Sequence, residues 1–229
     1  MSALRFNAAA DKLLRTASIL NIVNPYTVMF WAYMSSALAS DVFSTLWISG
    51  NNLPFGNGAA QIEGFDFTQL GANVRLESYT TASGSYDANG RGATNLVAST
   101  WYCCAMRRNS ATSLTMHLIT VAGVLTQESN ITDNVGTRSH TRGEFGSAWS
   151  TNNDPFDGRM TAFKAWSAAL SNEELLSESR RYRPIRLDSL HMFTPLFGAA
   201  TDVVDLSGNA RDWTIGGTLT VEKGPPIPW

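Results

Sequence analysis

Between Ser171 and Pro184 the chain carries its one strong helix signal. Elsewhere, short apolar runs are broken at strand-length intervals by Gly, Ser, Asn and Thr. Ser171 is a natural N-cap, and Glu174 three residues later completes a capping box. Leu170 and Leu175 can staple the entry, and Pro184 stops the helix, which is predicted over 171–182. Leu175 and Leu176 face inward in this reading, while Glu173, Glu174 and Glu178 stay in solvent. Many strands with one short helix make an all-β fold. At 229 residues, 44% of them hydrophobic, the chain can bury the core of a single large β domain. The expected division is one domain over 1–223 followed by a Pro-rich tail, 224–229.

The strand pattern is legible in most places. "YTVMFWAYM", Tyr26 to Met34, is aromatic and β-branched without a charge, so it belongs in the interior. Strands are also expected over 3–7, 41–49, 60–67, 73–80, 143–149 and 156–165. "STWYCCAMRR" and "SLTMHLITVAGV" form a hairpin, and three short strands follow the helix. The most loop-like stretch is Ser83 to Asn95, where Asn89-Gly90 is a strong turn signal. The core is expected to hold Phe30, Trp31, Trp101 and Trp166, because their strands carry the fewest charges.

Several function classes are disfavoured by composition. With 17 basic and 19 acidic residues and no long basic run, nucleic-acid binding is not expected. The longest apolar run, Val28 to Met34, is far short of the roughly 18 residues that suggest a membrane span, and the first residues do not form a signal peptide. A soluble location is expected, or a virion surface if the protein is viral. Cys103 and Cys104 are adjacent, hence on opposite faces of a strand, and read as small apolar fillers. His117, His140 and His191 are scattered, and no nucleophile elbow occurs.

The segment "FDGRMTAFKAWSAALSNEEL" resembles the closing motif of laminin-G-like domains in the concanavalin A-like lectin/glucanase superfamily. Phe156, Asp157, Gly158, Trp166, Leu170, Ser171, Glu173 and Glu174 match it. "ALRFN", "PYTVMFWAYMSS" and "TWYCCAMRR…SLTMHLITVAGVL" fall in the family's order. "DLSGNARDWTIGG", Asp205 to Gly217, looks like a segment that in many relatives precedes the first strand, as if the order were permuted with the chain ends close together. The resemblance implies a two-sheet antiparallel jelly-roll sandwich with the helix as a clip.

The resemblance brings in glycoside hydrolases, which need two carboxylates about 5–5.5 Å apart when retaining. The nearest single-strand candidate, Glu63 with Asp66, has odd spacing and so faces two ways. The protein is therefore expected not to be an enzyme. Relatives that bind calcium at the sandwich rim make Asp202 with Asp205, Asp87 with Asn89, and Asn152–Asn153–Asp154 the residues to inspect. None has the spacing of a dedicated calcium loop, so no metal or other cofactor is assigned. Glycan recognition wants aromatic platforms and planar polar groups, which Trp149, Asn152, Asn153 and Asp154 offer together. The tail, with Pro225, Pro226, Ile227 and Trp229, is expected to be extended and to dock on partners, the alternative being that it folds back and buries Trp229 on its own sandwich. The whole ending, "PLFGAATDVVDLSGNARDWTIGG…GPPIPW", also looks like the C-termini of phage and environmental viral laminin-G-like proteins. Three functions are weighed, of which a glycoside hydrolase fails on its acids and two stay open. One is a non-enzymatic virion structural protein, such as a phage decoration or tail-fibre-associated protein. It would attach to other virion proteins or to itself, with cell-surface glycans as further ligands. The other is a free carbohydrate-binding module.

Overall fold

The computed structural model describes residues 2–8, 10–16, 25–36, 43–51, 62–82, 85–133, 140–146, 155–197 and 203–228. Two antiparallel sheets pack face to face. The first joins β1 (Ser2–Phe6), β3 (Tyr26–Met34), β8 (Trp101–Arg108), β9 (Ser113–Thr120), β10 (Leu125–Thr132), β12 (Gly158–Trp166), β13 (Leu190–Thr194) and β15 (Thr220–Lys223). Its order is β10-β9-β8-β3-β12-β1-β15, with β13 also on β12. The second joins β2 (Lys12–Arg15), β4 (Phe43–Gly50), β5 (Ile62–Leu70), β6 (Asn73–Ala82), β7 (Ser85–Arg91), β11 (Arg142–Phe145) and β14 (Thr214–Gly216), in the order β14-β2-β11-β4-β5-β6-β7.

The uncharged run of β3 is explained by burial on both faces. Val28, Phe30, Ala32 and Met34 enter the core between the sheets, where Phe30 meets Phe65 and Phe145 edge-on at 5.8 and 5.6 Å. Met29 and Trp31 enter a second apolar cluster on the other face. Helix α1 (Asn172–Ser179) covers that cluster through Leu175, beside Trp101, Trp166 and Tyr182. All four expected core residues are buried, but the three tryptophans lie in the cluster on the far face of the sheet rather than between the sheets. Cys103 and Cys104 divide between the two clusters, as adjacent strand residues must. Burial holds the Cys103 thiol up at about 12.

β12 changes partners midway. β1 pairs with its first half and β13 with its second, and Ala162, at φ 54°, forms the irregularity between them and donates its N–H to Pro195 O at 2.7 Å.

The helix is as capped as expected. Ser171 Oγ accepts from Glu174 N–H at 3.2 Å, and Glu174 Oε2 accepts from Ser171 N–H at 2.7 Å. It ends at Ser179 rather than 182, because Lys164 on β12 rises under its C-terminus. Lys164 Nζ donates to Glu178 O (2.7 Å), Glu178 Oε2 (3.0 Å) and Arg181 O (2.7 Å). Glu178 is accordingly buried, not solvated. Ser83 to Asn95 is no loop throughout, since β7 occupies Ser85–Arg91. Gly90 sits in that strand because β10 leaves no room for a side chain, a Cβ there lying 2.6 Å from Ser129 Oγ.

Candidate functional site

Phe65 and Phe67 on β5, and Val74 and Leu76 on β6, point between the sheets, so residues of opposite parity face away from the core. That outer face carries many polar side chains, most of them buried, and it is exposed at its β7 edge, at Asn89 and Arg91. Thr45, Asp66, Glu77 and Arg91 are successive register partners across β4, β5, β6 and β7. The adjoining row runs Glu144, Ile48, Gly64, Tyr79, Asn89 across five strands. Gly64 is needed there, because the Tyr79 hydroxyl would lie 2.6 Å from a Cβ.

Asp66 and Glu77 stand directly opposite, an arrangement that repels unless neutralised. Arg91 supplies the neutralisation on the far side, donating Nε (3.0 Å) and Nη2 (2.7 Å) to Glu77 Oε2, while Asn89 Nδ2 donates to Oε1 at 3.3 Å. Glu77 is 5% exposed and Arg91 36%, so a buried carboxylate fixes the posture of an accessible guanidinium and amide. Farther along, Arg142 Nη2 bonds Glu144 Oε1 at 2.6 Å. Burial raises the Glu144 pKa, and the Arg142 charge works against that rise.

Among the acids weighed from sequence, Glu63 and Asp66 do face opposite ways. Glu63 points inward and bonds Arg108, whose Nη2 also donates to Asp133 Oδ2 at 2.6 Å. The same buried network brings His140 Nε2 to 3.7 Å from Glu63 Oε2 and His140 Nδ1 to 2.6 Å from Ser49 Oγ. This is a Ser–His–Glu sequence of contacts, yet Ser49 and Glu63 are wholly buried and a nucleophile there meets no substrate. The carboxylate pair that shares one face is Asp66 with Glu77, on two strands, and both are buried at 4% and 3% exposure. A search along single strands could not find it. The alternation Arg75, Glu77, Tyr79 in "NVRLESYT" was the available signal for a polar face.

Trp149, Asn152, Asn153 and Asp154 lie outside the described residues, as do Asp202 and Trp229. The rest of the tail lies on the sandwich instead of standing off it. Pro225 and Ile227 are buried, Ile227 in the cluster under the helix, and Pro228 O accepts from Tyr182 N–H at 3.0 Å. Ile227 N–H turns back to Pro225 O at 2.9 Å, so the segment is bent and Pro226 is left at the surface. Of the residues named for calcium, the Asp87 side chain also lies outside what is described, and Asn89 Nδ2 is bonded to Glu77. Both Asp205 oxygens accept from protein donors, the N–H groups of Phe193, Ser207 and Arg211 and the Ser207 hydroxyl. Among the described residues no group of three or more His, Cys, Asp or Glu could hold a metal ion, and no helix is long and apolar enough to cross a membrane.

A family model described as the concanavalin A-like lectin/glucanases superfamily (Laminin_G_3) matches residues 8–176. No curated protein matches the sequence. Solved structures with the same fold include a Bacteroides ovatus protein provisionally assigned as carbohydrate binding. It has a TM-score of 0.65 at 14% identity over 96% of this chain and 59% of that one. A heptameric SAP-like pentraxin of Limulus polyphemus gives 0.61 at 9% identity, covering 96% of this chain and 94% of that one. Tailspike protein 2 of an Escherichia coli O157:H7 bacteriophage gives 0.60 at 14% identity over 85% of this chain. The chain thus spans about a quarter of the tailspike (26%) and little more than half of the Bacteroides protein. With the match running from the first turn to the capped helix, the chain belongs to the laminin-G-like family of the concanavalin A-like lectin/glucanase superfamily.

Proposed function

We propose that this sandwich is a non-catalytic recognition module that binds glycan through the outer face of its seven-stranded sheet, at the β6–β7 end. The observation that carries the reading is the clamp of Glu77 on Arg91 and Asn89. Planar amide and guanidinium groups meet the paired hydroxyls of a sugar best when their own rotamers are already fixed, since less entropy is lost on binding. Arg75, whose Nη1 donates to Gly92 O at 3.0 Å, adds a second anchored guanidinium on the same face. Hydrolysis is not favoured, because the Glu77 oxygens already accept from Arg91 and Asn89. A glycan array with the intact protein tests this. Binding of at least one glycan is expected, weakened about tenfold or more by Arg91→Ala. An array without a hit, or a hit indifferent to both Arg91→Ala and Asn89→Ala, overturns it. Turnover that vanishes in Glu77→Gln would make the protein an enzyme instead.

A second reading, that the module is carried on a virus particle and attaches it to other proteins or to cells, is supported by the likeness to the tailspike. Mass spectrometry of purified particles from the source would detect the chain if this holds.

A further inference from the structure

Arg107 on β8 carries a charge that no described acid answers. Val28, Met106, Leu114 and Met116 enter the core between the sheets, so Thr27, Arg107 and Thr115, register partners across β3, β8 and β9, face the other way. Asn130 on β10 continues the row beyond Thr115. The guanidinium is fixed by neutral oxygens. Its Nε donates to Thr115 Oγ1 at 3.2 Å, and its Nη1 donates to Leu170 O at 2.8 Å and Asn172 Oδ1 at 3.1 Å. Among the described residues nothing accepts from Nη2. Burial lowers the Arg107 pKa, and no carboxylate works against the shift. The charge is felt at His117, the next outward residue of β9, where it adds to burial in lowering the pKa. The acids that open the helix are turned elsewhere. Glu173 engages its own N–H and the Ser171 hydroxyl, which lower its pKa, and Glu174 accepts from Ser171 N–H and from Arg186.

A rigid, uncompensated guanidinium with a spare Nη2 favours an incoming anion. The bond is charge-assisted, and little rotamer freedom is lost in making it. The groups around it set the class of ligand. Asn109, whose Nδ2 donates to Thr115 Oγ1 at 3.4 Å, is exposed, as are Asn130, Thr132 and Gln127 on β10. Amides and hydroxyls both donate and accept, which suits a ligand rich in hydroxyl groups. The row Thr27, Arg107, Thr115, Asn130 holds no apolar side chain of the kind that anchors a peptide.

We propose that Arg107, with Asn109 and Asn130 beside it, forms a binding site for an acidic saccharide. The ligand's carboxylate or sulfate takes Arg107 Nη2, and its neighbouring hydroxyls meet the two amides. This site lies on the eight-stranded sheet, away from Arg91, and does not rest on the glycan reading made there. Isothermal titration calorimetry with the intact protein tests it. The probes are a hyaluronan hexasaccharide, which is carboxylated, a chondroitin sulfate hexasaccharide, neutral chitohexaose, hexaglutamate and sodium sulfate. At least one acidic hexasaccharide should bind about tenfold or more tightly than chitohexaose, and about 0.5 M salt should weaken it. Arg107→Gln and Asn130→Asp should each weaken that binding about tenfold or more, while Arg91→Ala leaves it unchanged. Near-UV circular dichroism checks the fold of each variant. Asn130 is exposed and makes no side-chain bond to a described residue, so Asn130→Asp decides the matter if Arg107→Gln does not fold. The proposal is overturned if neither acidic hexasaccharide binds, if chitohexaose binds as tightly, or if Asn130→Asp is without effect. Sodium sulfate or hexaglutamate binding as tightly as the hexasaccharides overturns it too, since the amides would then recognise no sugar.

Discussion

Lys164 acts where a helix C-terminus usually recruits a cation of its own. Arg180, Arg181 and Arg183 look in sequence like dipole partners, yet none stands in the last turn. The buried ammonium from β12 does that work, at a cost that shows as a pKa lowered by burial and partly restored by Glu178. Lys164→Met should therefore destabilise by about 3–5 kcal/mol in urea melts, because Glu178 and the helix carbonyls lose their buried partner. A loss below about 1 kcal/mol would show that the pair is inert. Gly158, in the Phe-Asp-Gly motif, has a different necessity. A Cβ there would lie 2.2 Å from Tyr33 O, a backbone atom that cannot step aside. Gly158→Ala should cost about 3 kcal/mol or more, at the upper end for overpacking, as read by thermal melting. Neither requirement was visible in the sequence, where Lys164 is one charge on an apolar strand and Gly158 enters only as a match to the family motif.

At the level of elements, legibility followed chemistry. β3, β8 and the helix announce themselves because both faces of the strands are apolar and the capping box is local. β10 does not, since "LTQESNIT" is an edge strand with a polar exposed side, and Asn-Gly disguises β7 although only close packing demands the glycine. The candidate site was missed for the same reason: Glu77 and Arg91 meet only once β7 is a strand. β9 carries a prediction of its own. His117 is buried on the helix-facing side, bonds Thr115 Oγ1 at 3.1 Å, and is opposed by Ala105 and Gln127 in register. Burial, with Arg107 adding to it, lowers its pKa to about 4. The folded form therefore holds fewer protons than the unfolded between about pH 6.5 and 4. Its contribution, up to about 3 kcal/mol, is present above pH 6.5 and lost as pH falls through 4. His117→Gln should flatten the wild-type decline in stability over that interval; parallel pH curves for the two proteins would exclude the histidine as its source.

At the scale of the whole molecule, the two sheets have unequal backs. The eight-stranded sheet is roofed by the chain itself, by α1 and by residues 224–228, while the seven-stranded sheet carries polar rows on its back that reach the surface at the β7 edge, with Asn89 and Arg91. Deleting 224–228 together with residue 229 uncovers the Ile227 site and frees Tyr182 N–H. A loss of about 3 kcal/mol, seen as roughly 6–12 °C in melting temperature, is expected. An unchanged melt would show that the segment is no part of the roof.

The pairing of β1 with β15, Ser2 opposite Lys223 and Leu4 opposite Val221, has a mechanical consequence. Tension applied between these two strand ends meets the backbone hydrogen bonds one at a time, as in opening a zipper, instead of loading them all in parallel. Such a sandwich yields at low force when stretched through its own ends.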